Sequence, residues 1–149
     1  MSALGLDIGE KRIGVAIGDD QNAFAVPVEV IDRSFVVDLW EKLEECAASR
    51  RADLIVVGMP FSLNGEVGPQ AEKTWAFVNE LKRKSSLPIE IWDEQYSSVE
   101  ANRLLTSNLP RNASHKKALR LRRSAKDAVA ASVMLQSYLD SKINLGRSA

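Results

Sequence analysis

Residues 3–18 read Ala3-Leu4-Gly5-Leu6-Asp7-Ile8-Gly9-Glu10-Lys11-Arg12-Ile13-Gly14-Val15-Ala16-Ile17-Gly18, two short apolar runs joined by a charged pair. The first run, residues 3–9, is closed by glycine and predicts a strand. The second, residues 12–18, repeats the pattern. Glu10-Lys11 is a connection of hairpin length, so the two strands are expected to be antiparallel. Residues 23–31, AFAVPVEVI, form a third β-rich run. Pro27 cannot donate to a ladder, which sends this strand to a sheet edge. The chain therefore opens with a three-stranded meander.

Beyond the meander the hydrophobic period changes. In residues 34–50, Phe35, Val36, Leu39, Leu43, Cys46 and Ala47 follow helical spacing, and Ser34 is a candidate N-cap. Residues 53–58, DLIVVG, are a continuous apolar run of the kind buried in parallel sheets. A Pro/Gly-rich loop over 59–69 leads to a second amphipathic helix at 70–84, with Ala71, Trp75, Phe77, Val78 and Leu81 inward. Residues 88–93, PIEIWD, give another strand. Residues 97–107 predict a helix capped by Ser97 or Ser98, residues 108–116 a polar loop, and residues 118–141 a long final helix. The order is β-β-β-α-β-α-β-α-α, with no repeat and no dividing linker. At 149 residues the length suits one domain over 1–149. Parallel strands need crossover helices, so the class is α/β with a mixed sheet.

Composition narrows the chemistry. Hydrophobic residues make up 45% and charged residues 27%, enough for a core, which excludes collagen-like and wholly disordered chains. A single cysteine, Cys46, excludes a disulfide framework and a cysteine zinc cluster. A single histidine, His115, excludes sites that need two. The formal net charge is zero, but residues 1–100 hold 10 Lys+Arg against 18 Asp+Glu, and residues 101–149 hold 10 against 2. An acidic body with a basic final third suits a metal-dependent enzyme on a polyanion; it equally suits two solvated faces. No run approaches the ~20 apolar residues of a membrane span, and nothing reads as a targeting signal. The expectation is a cytoplasmic protein with no membrane partner.

Three acidic positions stand out. Asp7 lies inside an apolar strand, where an unpaired carboxylate is costly. It needs a metal ion, N–H donors or a cation; Lys11 and Arg12 are near in sequence. Asp93-Glu94 ends the strand IEIW, at the strand end where open α/β sheets place ligands. Asp127 is one of two acids in the last 49 residues. Helical spacing sets Arg123 four residues before it and Arg120 seven before, so an ion pair on a surface helix is the plain alternative. Ala128 and Ala131 leave room for that helix to approach the sheet. Together the three acids offer hard oxygen donors, the type preferred by Mg²⁺ and Mn²⁺. No Ser/His/Asp or Cys/His set competes, which favours hydrolysis of phosphate esters by metal-held water. Arg111, Lys116, Lys117, Arg120, Arg122, Arg123 and Lys126 form a basic run that can contact a nucleic-acid backbone, or simply be solvated. The loop from Val57 to Pro69 is glycine-rich but has no Walker sequence.

These residues carry a family resemblance. Leu6-Asp7-Ile8-Gly9-Glu10-Lys11-Arg12-Ile13-Gly14-Val15-Ala16 resembles the opening motif of the YqgF/RuvX family of RNase H-like nucleases, related to Holliday junction resolvases. Val57-Gly58-Met59-Pro60 with Asn64-Gly65-Glu66 and Gly68 is similar to its second motif. Asp93-Glu94 with Ser97-Ser98 and Glu100-Ala101 is similar to the third. Lys126-Asp127-Ala128-Val129-Ala130-Ala131 with Leu135-Gln136-Ser137-Tyr138-Leu139 is similar to the fourth. The resemblance implies an RNase H-like fold with a five-stranded mixed sheet, order 3-2-1-4-5, flanked by helices. It implies Asp7, Glu94 and Asp127 as catalytic, metal-binding residues for Mg²⁺ or Mn²⁺, with Asp93 the substitute for Glu94 one residue away. Lys11, Arg12, Lys116, Lys117, Arg120 and Arg123 are the candidates for substrate binding. It further implies a cytoplasmic monomer or homodimer acting on structured RNA or branched DNA. Processing of the small-subunit ribosomal RNA precursor is the expected activity and junction resolution the alternative. Gln95 stands where the family usually has Arg, which removes a charge beside the expected site.

Two rival classes remain from sequence. Asp7-Ile8-Gly9 with Gly14–Gly18 resembles the phosphate loop of actin-like and sugar-kinase folds, but 149 residues leave no room for their second lobe. A non-catalytic nucleic-acid-binding or ribosome-assembly factor would keep the fold; the intact acid triplet argues against it.

Overall fold

The computed structural model describes residues 1–21, 24–60, 68–93 and 127–142. Five strands, β1 (Ser2–Ile8), β2 (Arg12–Asp19), β3 (Phe24–Asp32), β4 (Leu54–Met59) and β5 (Ile89–Asp93), form one sheet in the order β3-β2-β1-β4-β5. This is the expected order. β1 is antiparallel to β2 and parallel to β4, β2 is antiparallel to β3, and β4 is parallel to β5.

The hairpin forms where Glu10-Lys11 predicts it. The Gly9 N–H donates to the Arg12 carbonyl at 2.9 Å, closing the turn. A Cβ on Gly9 would stand 2.6 Å from that same oxygen, so the turn calls for glycine. β3 takes the edge that Pro27 requires. Its ladder with β2 shifts register between Val15 and Ala16, which pair with Glu29 and Pro27, so Val28 is the extra residue of a bulge.

Helices α1 (Leu39–Ser49) and α2 (Pro69–Lys84) cover one face of the sheet. α1 begins later than expected. Asp38, not Ser34, is the N-cap, and its carboxylate accepts from the Trp40 and Glu41 N–H groups at 3.1 and 3.2 Å. Ser34 is instead bound through its N–H and hydroxyl to Asp32, at the end of β3. The resulting turn leaves Phe35 85% exposed, where helical spacing had placed it inward. α2 carries Pro69 in its first turn, where the missing N–H is no loss. Ala71, Phe77, Val78 and Leu81 are buried as expected; Trp75 is only half-buried, and Thr74, not foreseen, is fully buried. Trp40 packs on the Phe77 ring at 5.0 Å.

Residues 127–142 are helical and are termed α3. The remainder of the predicted final helix, the predicted helix at 97–107 and the polar loop at 108–116 lie outside the described residues.

The two sheet faces bury two separate clusters. Leu4, Leu6, Ile8, Ile13, Val15, Ile55 and Val57 face α1 and α2. Ala3, Ala16, Leu54 and Val56 face α3, against Ala131, Met134, Leu135, Tyr138 and Leu139. Alternation along β1 therefore puts Asp7 on the α3 face, in line with Ala3 and Gly5. It is half-buried there.

Candidate active site

The α3 face of the central strands is built from small residues: Ala3, Gly5, Gly14, Ala16 and Gly18. A Cβ added to Gly5 would lie 3.0 Å from Leu135 Cβ, and one on Gly18 would lie 2.7 Å from Leu139 Cδ1. At Gly14 the approach is tighter still. A Cβ there would fall 1.9 Å from the Asp127 carbonyl oxygen, so the main chain of α3 rests on the main chain of β2. Gly14 is also the direct cross-strand partner of Asp7. One glycine thus joins Asp7 and Asp127, separated by 120 positions in sequence, at one end of the sheet.

Two further contacts fix α3 in place. The Tyr138 hydroxyl donates to the Glu90 carboxylate, and Trp92 Nε1 donates to Ser137 Oγ at 3.2 Å. Both tie α3 to β5. Burial and the bond to Glu90 push the Tyr138 hydroxyl above its ordinary pKa. At the opposite edge of the sheet, Gln136 Oε1 accepts from the Ala25 N–H of β3 at 2.9 Å. α3 is therefore held across the full width of the sheet.

Among the described residues Asp127 pairs across the chain rather than along its helix. Its Oδ2 accepts from Arg12 Nε at 2.7 Å, across 115 positions. The two side chains are 26% and 31% exposed. Sequence had set Arg12 against Asp7 or the substrate, and Arg123 or Arg120 against Asp127. No spacing rule links a strand residue to a helix so distant in the chain, so this pair was missed. Lys11 is exposed at the hairpin. Glu94, Lys116, Lys117, Arg120 and Arg123 lie outside the described residues.

Asp93 is described, and its face differs from that of Asp7. In the ladder Val57 pairs with Ile91 and Met59 with Asp93. Asp93 therefore shares the side of Ile89 and Ile91, which pack toward α1 and α2. Among the described residues no three Asp, Glu, His or Cys side chains gather as a metal cluster. Two of the three expected ligands, Asp7 and Asp127, are described, and they share one face and one contact residue.

A cleft of about 340 Å³ opens on the opposite side of β1, beside Ile8, Gly9 and Glu10. Arg33, Gln70, Lys73 and Phe77 line it. Its cations are already engaged: Arg33 Nη1 donates to the Gly9 carbonyl at 2.8 Å, and Lys73 pairs with Glu10, holding that carboxyl below its usual range. Neither Asp7 nor Asp127 lines this cleft.

Residues 1–141 match the family model described as RuvX, Holliday junction resolvase. The chain belongs to the RuvX family. A Desulforamulus reducens protein named "Putative pre-16S rRNA nuclease" is 39% identical over 141 residues, covering 95% of this chain and 98% of its own length. One of the same name from Symbiobacterium thermophilum is 42% identical over 138 residues, covering 93% and 91%. Family membership makes the RuvX chain a nuclease, a hydrolase of phosphodiester bonds. Among solved structures, Thermus thermophilus RuvC in complex with a Holliday junction substrate has a TM-score of 0.53 at 15% identity, covering 96% of each chain. The Fowlpox virus Holliday junction resolvase has a TM-score of 0.55 at 12% identity, covering 95% and 99%. These likenesses show the RNase H-like fold that the motifs imply. Among the described residues no helix is long and apolar enough to cross a membrane.

Proposed function

We propose that Asp7, Glu94 and Asp127 bind one or two divalent ions, Mg²⁺ or Mn²⁺, in a single domain spanning 1–149, and that the protein cleaves structured nucleic acid there. The favoured substrate is the 5′ end of pre-16S rRNA, cleaved in the cytoplasm during ribosome biogenesis. One observation carries the site: the Asp127 main chain packs on Gly14, the cross-strand partner of Asp7. The donor chemistry fits, since carboxylate oxygens are what these hard cations take. When bound, the metal supplies an activated water and stabilises the leaving oxygen.

The chain's own residues do the rest. Asp7 is fixed by a central strand, so its carboxylate is set by the sheet rather than by a loop. Asp127 is brought to it by the glycine-lined seat of α3. Asp93 lies on the other face of β5, which favours its neighbour Glu94 as the third ligand. Lys11, Lys116, Lys117, Arg120 and Arg123 are assigned to the phosphate backbone, where cations position a strand without reading its sequence; Arg12, expected from sequence to join them, is instead engaged by Asp127.

The names of the relatives support the ribosomal RNA reading. The family description supports a second one, resolution of a four-way DNA junction. A two-fold junction calls for paired copies, whereas an rRNA end does not. The test is a cleavage panel with both substrates, with and without Mg²⁺ or Mn²⁺, for the natural sequence and each single acid variant. The expected result is metal-dependent cleavage of the rRNA precursor, lost in Asp7→Asn, Glu94→Gln and Asp127→Asn. Salt-dependent binding with no cleavage of either substrate would instead make the protein a binding factor.

A further inference from the structure

Arg12 is the first residue of β2, and its direction follows from the ladder. Gly14, Ala16 and Gly18 face α3, so Arg12, two residues before Gly14, shares that face. Its Nε reaches Asp127 Oδ2 at 2.7 Å. Its cross-strand partner on the other flank is Asp32. Ser34 is the main cause of the lowered Asp32 pKa, and the charge of Arg12 adds to it. Arg12 therefore stands between two acids, one a proposed metal ligand and the other not.

We propose that Arg12 is a positioning residue that shares Asp127 with the metal: it holds the carboxylate over Gly14 and yields it to a divalent cation by turning toward Asp32. This rests on the metal-binding reading of Asp7 and Asp127. A guanidinium and a metal ion use the same carboxylate lone pairs, so they compete directly. Because the pair is partly exposed, the competition is modest and the metal prevails. Without Arg12 the carboxylate is free for metal but less well held.

Titration with Mn²⁺ alone, followed by calorimetry and by the spin-resonance signal of free Mn²⁺, tests this on the full chain. Arg12→Ala is expected to bind Mn²⁺ about two- to fivefold more tightly than the natural protein. Arg12→Lys, which keeps the charge, is expected to stay within about twofold of it. Asp32→Asn removes the second partner and is expected to weaken Mn²⁺ binding. Equal or weaker affinity in Arg12→Ala would overturn the proposal. If that variant does not fold, unchanged affinity in Asp32→Asn would do so. A natural protein that binds no Mn²⁺ overturns the metal reading itself, an outcome distinct from binding that Arg12→Ala leaves unaltered.

Discussion

The two faces of the sheet are built on opposite plans. Toward α1 and α2 the central strands present Leu4, Leu6, Ile8, Ile13 and Val15, large side chains that hold the helices off and fill the gap. Toward α3 the same strands present Ala3, Gly5, Gly14, Ala16 and Gly18, and the helix comes down until main chains touch. The first plan gives stability through apolar burial. The second gives placement: a helix seated on glycine delivers Asp127 beside the strand that holds Asp7. The two jobs are divided between residues that alternate along one strand, so substitutions at neighbouring positions should have different consequences.

The largest effect should come from the α3 face. Asp127→Asn is expected to lower cleavage by about 10²–10³-fold, the scale on which loss of one charge-stabilising group acts. Its melting temperature should fall little, since the lost ion pair with Arg12 is partly exposed. Leu6→Ala, one residue from Asp7 but on the other face, should do the reverse. It should cost about 2–5 kcal/mol in denaturant unfolding, with cleavage per folded molecule nearly unchanged. If Leu6→Ala lost activity without losing stability, the division between faces would fail.

Gly14→Ala lies between these cases. Its methyl group collides with the Asp127 carbonyl, so α3 must lift, at a cost of about 1–3 kcal/mol. Cleavage should fall as well, because the two carboxylates part. Retained activity with reduced stability would show that their spacing is not critical.

Smaller effects sharpen the α1 side. Asp38→Ala should cost about 1 kcal/mol by thermal unfolding, as loss of an N-cap does. Ser34→Ala, at the cap expected from sequence, should cost less. The weakest signal is alkaline. Burial and the hydrogen bond to Glu29 push the Cys46 thiol up to about 12 from 9.0. The unfolded thiol ionises first, so the contribution is intact below about pH 9 and is lost as pH rises toward 12. Cys46→Ala should flatten that part of the stability profile measured from pH 8 to 12.

Much of this was legible in the chain. The strands are continuous apolar runs bounded by glycine or proline, and Pro27 alone sends β3 to the edge. The family motifs then give the strand order and name Asp7 and Asp127. What stayed hidden depends on partners distant in sequence. Ser34 and Asp38 are both good caps, and only the competing bond from Ser34 to Asp32 shows why the helix waits for Asp38. Phe35 fits a helical stripe but sits in the turn that this bond creates. Gly14 reads as one more strand glycine until α3 is laid upon it. The Arg12–Asp127 pair joins the opening hairpin to the final helix, and periodicity within either element is blind to it.

The most direct measurement is Mg²⁺- or Mn²⁺-dependent cleavage of a pre-16S rRNA 5′ fragment by the natural protein and by Asp7→Asn, with unfolding followed on the same samples. Cleavage that needs the metal, and that falls by about 10²-fold or more in a variant with the natural melting temperature, is the predicted result. Equal cleavage by Asp7→Asn at equal stability would contradict the assignment of the α3 face as the catalytic one.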